Sequence, residues 1–143
     1  LQFYLGYLLR VIVANIALPI IRLPGFAVIR EGACFNFAGQ LVSIDAPCSG
    51  IKMLWAGLLL AAGYSCFNRL SILRTIYIAS LAVIVTILAN SFRAAALFFT
   101  EAHILKTPGW FHEGTGVLIF LAAGICILLI ADKIGRRRIS LCG

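Results

Sequence analysis

The sequence predicts an all-α membrane protein: a four-helix transmembrane bundle, or the core of a larger one, with a small extracytoplasmic β-hairpin between helices one and two. Three observations predict it. The 143-residue chain is 62% hydrophobic and 12% charged, with a mean hydropathy of +1.05, whereas soluble domains carry about 25% charged residues. Four apolar runs each come close to the ~20 residues that one span needs. Between the first two runs lies a segment of a different kind, rich in β-branched and aromatic residues and punctuated by glycine.

The first helix is expected from Leu1 to Ile21, with Arg10 interrupting it, and Arg22-Leu23-Pro24-Gly25 closes it. The segment Phe26 to Ile44 reads as short strands near 26–30, 33–37 and 40–44, with Gly32 and Gly39 at the turns. Open strand edges are not tolerated in lipid, so this element must lie outside the hydrocarbon or against protein. The second helix is expected from Gly50 to Cys66 and the third from Leu73 to Phe99 or Glu101. The third exceeds one span and carries polar Asn90, Ser91 and Arg93 toward its outer end, so it tilts or rises above the bilayer. The fourth is expected from Gly114 to Ala131. The whole of 1–143 reads as one domain. A chain that begins at Leu1 with no leading polar segment looks like a piece of a longer protein.

Orientation follows from basic residues in short connections. Phe67 to Arg74 holds Arg69 and Arg74 and no acid, and the C-terminal tail holds Lys133, Arg136, Arg137 and Arg138. Both are expected on the cytoplasmic side of a cell membrane. The hairpin and the Glu101–Glu113 loop then share the outer face. The net charge of +7 is thereby assigned to topology and lipid headgroups. With no soluble domain and no aromatic interleaving, the basic run gives no sign of nucleic-acid binding.

None of the five cysteines forms a CxxC pair, so no zinc or thioredoxin-like site is indicated, and the sequence calls for no cofactor. Cys126 falls mid-membrane and reads as a small core residue. Cys66 and Cys142 fall on the inner face. Cys34 and Cys48 fall outside, where a disulfide between them would remove a nucleophile.

Cys48 stands where a polar segment turns into an apolar helix. A thiol of ordinary pKa, about 8.5, becomes thiolate beside a cation or a helix N-terminus. Cys48 and Ser49 sit at or next to the start of helix two, whose free N–H groups can also bind an oxyanion. Gly50 would let a substrate backbone approach. His112, after the turn Pro108-Gly109-Trp110-Phe111 and before helix four, is the candidate general base and acid. Glu113 or an outer carbonyl could orient it. His103, at the end of helix three, reads as an interfacial residue. An arginine costs ~2.5–3.5 kcal/mol at a bilayer centre, a charge that chains retain where it faces a polar cavity, although near the outer end of its helix Arg93 could also snorkel to the interface. Asn90 lies three residues before it, on one helix face. A guanidinium there can stabilise a thiolate or an oxyanion, or hold a carboxylate.

Together, Ala46-Pro47-Cys48-Ser49-Gly50-Ile51, Asn90-Ser91-Phe92-Arg93 and Phe111-His112-Glu113-Gly114-Thr115-Gly116 resemble the exosortase/archaeosortase family of membrane-embedded cysteine transpeptidases, over about Phe26 to Ala131. The resemblance implies that Cys48, Arg93 and His112 are catalytic and that Ser49, Gly50 and Asn90 support them. It also implies a substrate class: exported proteins whose C-terminus carries a sorting motif, a transmembrane helix and a basic cluster. The enzyme would cleave at the motif and hand the acyl group to an acceptor or to water. Independently of the resemblance, the hairpin 26–44 could help hold the motif as an added strand. Family members usually have more than four helices, and Ala94-Ala95-Ala96 is smaller than the branched residues expected after Arg93.

Two other readings stand beside this one. In the first, the protein is a non-enzymatic membrane component, a transporter subunit or assembly factor, with Arg93 and Asn90 lining a polar pathway. In the second, Cys48 carries lipid acyl groups as a thioester.

Overall fold

The computed structural model describes residues 2–37, 39–43, 50–102 and 111–136. Four helices and three strands appear in the order α1 (Gln2–Arg22), β1 (Ile29–Glu31), β2 (Cys34–Phe37), β3 (Gln40–Ser43), α2 (Ile51–Phe67), α3 (Ile72–Glu101) and α4 (Phe111–Arg136). α1, α3 and α4 are long and apolar enough to cross a membrane, while α2 is a shorter apolar helix of 17 residues. Tail residues Arg137 and Arg138 lie outside the described residues.

The helices form two packing units that share α3. Its N-terminal half meets α2 and α4 through Ala61, Ile78, Ala82, Ile127 and Ala131. α2 and α4 both run antiparallel to α3, and this unit is made largely of small residues that let backbones approach. Gly57 shows how close they come: a Cβ there would stand 2.7 Å from Thr86 Cγ2. Toward its C-terminal end α3 also meets α1 and the sheet, through Val13, Ala14, Ala17 and Ile21 against Ala94, Ala95, Leu97 and Phe98. α1 and α3 run parallel here, so α1 is displaced along the bundle axis relative to α2 and α4.

The sheet is an antiparallel meander ordered β1-β2-β3, with Arg30 opposite Phe35 and Phe35 opposite Val42. Gly32 and Gly39 form its turns at φ +64 and +81, in the left-handed region open to glycine. Arg22 ends α1 by donating from Nε and Nη2 to the Val28 carbonyl, at 3.0 and 2.6 Å, which folds the chain back toward the sheet. Burial of Val28 and Phe35 and a cluster of rings then fix the sheet against α3. Phe98 is the hub, with its ring centroid 5.6 Å from Phe35, 6.0 Å from Phe37 and 5.7 Å from Phe99, all near edge-to-face. Phe26 joins Phe37 and Phe99 at 5.7 Å each. Such pairs contribute about 0.5–1.5 kcal/mol each beyond area burial.

Two expectations need correction. Cys126 is exposed on the bundle's outer surface and is not a core residue, because α4 turns its Ala123–Ile127–Ala131 stripe inward and leaves the intervening positions to face out. The fourth helix also begins three residues earlier than expected, at Phe111, so His112 lies within its first turn and not in the preceding loop. Cys34 carries a free thiol.

Phe98→Ala should remove about 3–5 kcal/mol and expose the 26–43 segment to protease, whereas Phe92→Ala, at a side chain 58% exposed, should shift stability by less than about 0.5 kcal/mol. Thermal unfolding and limited proteolysis in detergent check this. Equal sensitivity of the two variants would remove Phe98 as the anchor.

Candidate functional site

The polar face of α3 lies where the two packing units meet. Thr86, Asn90 and Arg93 recur at helical spacing, and each abuts a glycine of a neighbouring helix. Thr86 returns its hydroxyl to the Ala82 and Val83 carbonyls, at 2.8 and 2.9 Å, and turns its methyl to Gly57. Ser91, fully buried, likewise donates to Ile87 O at 2.8 Å. These hydroxyls are therefore internally satisfied.

Asn90 is 1% exposed and lies against Gly50, the N-cap of α2. Gly50 has φ 74 and ψ 0, and its carbonyl accepts the first helical bond from Leu54 N at 2.8 Å. A Cβ at Gly50 would stand 2.6 Å from Asn90 Nδ2. Glycine is thus required here twice, by the left-handed backbone and by the packed amide. The space beside Gly50 that the sequence suggested for a substrate backbone is filled by Asn90. A small cavity, with room for about one water, adjoins this contact and is lined by Leu9 and Val13 of α1, Gly50, Leu54, Thr86, Ile87 and Asn90.

Arg93 points to the other side, into the seam between α3 and α4. A Cβ on Gly116 would stand 3.0 Å from Arg93 Nη2, 3.1 Å from Cζ and 3.3 Å from Nε. The guanidinium therefore lies on the α4 backbone at Gly116. Its Nε is buried and makes no hydrogen bond among the described residues. His112 is four residues, about one turn, before Gly116 in α4. The structure thus brings together Arg93, α4 at the His112–Gly116 turn, Asn90 and the start of α2. Cys48 and Ser49, like His103, lie outside the described residues; Cys48 is two residues before Gly50, within about 7 Å of chain.

The level of this cluster along the bundle is informative. At ~1.5 Å per residue, Asn90 and Arg93 stand about 27 and 32 Å from Ile72 at the start of α3, close to the ~30 Å thickness of a bilayer's hydrocarbon core. A bilayer whose edge lies at the α2–α3 turn thus places the cluster at its opposite boundary, with the Phe98 cluster beyond.

This geometry has a family to go with it. Residues 2–129 match the family model described as transmembrane exosortase. The chain belongs to the exosortase family. No curated protein and no solved structure matches it. The exosortase match covers α1, the sheet and most of α4 as well as the segments whose motifs carry the resemblance. Sequence reasoning missed Gly116 as a neighbour of Arg93, although Gly116 closes the quoted His112 motif. It also missed the pairing of Gly50 with Asn90. For Gly116 the signal was glycine within otherwise good helix, which often marks close approach.

Gly50→Ala should destabilise the protein, and Asn90→Ala added to it should restore part of the loss, since the steric contact then disappears while the left-handed backbone remains. A double-mutant cycle on thermal unfolding reads this directly. Strict additivity would show that the two residues do not press on each other.

Proposed function

We propose that this exosortase is a cysteine-type peptidase and transpeptidase that cleaves C-terminal sorting signals of exported proteins at the extracytoplasmic face of the cell membrane. The observation that carries the reading is the Arg93 guanidinium, lodged in the α3–α4 seam one turn from His112, with a buried Nε unbonded among the described residues. Family membership supports the same class of chemistry.

In this mechanism the Cys48 thiolate attacks the carbonyl carbon of the scissile peptide bond. The oxyanion is met by Arg93 and by free N–H groups at the start of α2. His112, having taken the thiol proton, returns it to the departing amine as the C–N bond breaks, which leaves a thioester on Cys48. An incoming amine or water then attacks the thioester carbonyl and frees the thiol. Asn90 acts by holding Gly50 and not by touching substrate, since it is almost wholly buried. That burial also favours this reading over one in which Asn90 and Arg93 line a polar pathway: Asn90 abuts one helix and Arg93 another.

The orientation proposed with it places the α2–α3 turn, with Arg69 and Arg74, in the cytoplasm. The cluster then sits at the outer edge of the hydrocarbon, where a substrate's transmembrane helix ends and its exported portion begins.

Cys48→Ala and His112→Ala should abolish processing of a tagged reporter carrying a C-terminal segment, a transmembrane helix and an Arg-rich tail, drawn from proteins of the same source. Arg93→Ala should reduce it about 10²–10³-fold. Immunoblots of membranes with matched protein levels provide the readout, and normal processing by Cys48→Ala would end the cysteine-peptidase reading. Separately, Cys66, exposed near the α2–α3 turn, should react with a membrane-impermeant maleimide only in inside-out vesicles. In a variant that keeps Cys66 and has the other four cysteines replaced by alanine, labelling from the outside of intact cells would reverse the topology.

A further inference from the structure

We propose that Gly116 is a positioning residue for Arg93: the missing side chain on α4 is what seats the guanidinium in the seam. This rests on the reading of Arg93 as a catalytic group given above. Gly116 has no need of glycine for its backbone, since it lies in the interior of α4 and is absent from the residues with positive φ. An alanine at such a position is ordinarily the better helix former. The three nearest atoms an added Cβ would meet all belong to the far end of one side chain, Nη2, Cζ and Nε of Arg93, at 3.0 to 3.3 Å.

The three glycines along the α3 polar face therefore differ in kind. At Gly57 an added Cβ would press on Thr86 Cγ2 at 2.7 Å and on Ile127 Cδ1 at 3.3 Å, both in packed helix contacts. At Gly50 the backbone itself is left-handed. At Gly116 the obstacle is flexible, and it is also the group assigned to charge stabilisation. The guanidinium can shift by a few tenths of an ångström, so the bundle survives the substitution. Its distance to a developing oxyanion changes by the same amount, and charge stabilisation depends on donors held near 3 Å. Gly116 thus serves the position of a charge more than the stability of a helix.

The experiment uses the reporter assay on Gly116→Ala, with Gly63→Ala as control, because a Cβ at Gly63 meets nothing within 4 Å. Gly116→Ala should insert normally, melt at or above the wild-type temperature, and lower kcat about tenfold or more with KM little changed. Gly63→Ala should leave turnover intact. Arg93→Lys should also be slow, and the Gly116→Ala/Arg93→Lys double variant should be no slower than Arg93→Lys alone, since both changes act on one contact.

Wild-type turnover by Gly116→Ala would overturn the inference, as would a loss of activity that tracks a loss of folded protein, or additive effects in the double variant. Arg93→Ala separates the two levels of argument. If it is slow while Gly116→Ala is normal, only the positioning role falls. If Arg93→Ala itself turns over at the wild-type rate, the catalytic role of Arg93 falls and the inference with it.

Discussion

Asn90 and Arg93 carry amide and guanidinium groups into a bundle whose other contacts are almost all apolar. Polar groups away from water are tolerated only where partners and space are arranged for them. On α3 that space is supplied by the helices on either side. Gly50 at the start of α2 accepts the Asn90 amide, and Gly116 in α4 accepts the Arg93 guanidinium. Those two contacts limit how far α2, α3 and α4 can shift against one another at this level. Larger residues at either glycine would require the helix to move away or the polar group to move out.

The division of α3 into two halves follows from a second constraint. Thirty residues of helix extend beyond one hydrocarbon thickness, so its last turns need cover of their own. α1 and the three-stranded sheet provide it through Val28, Phe35 and the Phe98 ring cluster. The sheet is thereby held against protein, as its unpaired edges require near lipid. One helix therefore ties the membrane-spanning unit to the aromatic platform beyond it, with Asn90 and Arg93 between.

Much of this was legible in the sequence because local chemistry dictated it. The helix-ending Pro24-Gly25, the glycine turns at 32 and 39, and the apolar runs gave elements within a few residues of those observed, since each signal acts over a short stretch of chain. The Asn90–Arg93 spacing identified the polar face of α3 for the same reason. The misreadings were of other kinds. Cys126 was assigned to the core by depth, but depth along a helix does not say which side faces inward. His112 was assigned to a loop because Gly114 looked like the helix start, whereas α4 already includes Phe111.

The sequence by itself determined the membrane class, the order of elements and the residue types available for chemistry, because hydropathy and turn propensity are properties of neighbouring residues. Only the tertiary structure decided that Asn90 meets Gly50 while Arg93 meets Gly116, that α1 covers the far half of α3, and that Asn90 is almost wholly buried. Those are contacts between segments far apart in the chain. Their outcome depends on which small residue faces which large one across a helix seam, and no local pattern encodes that.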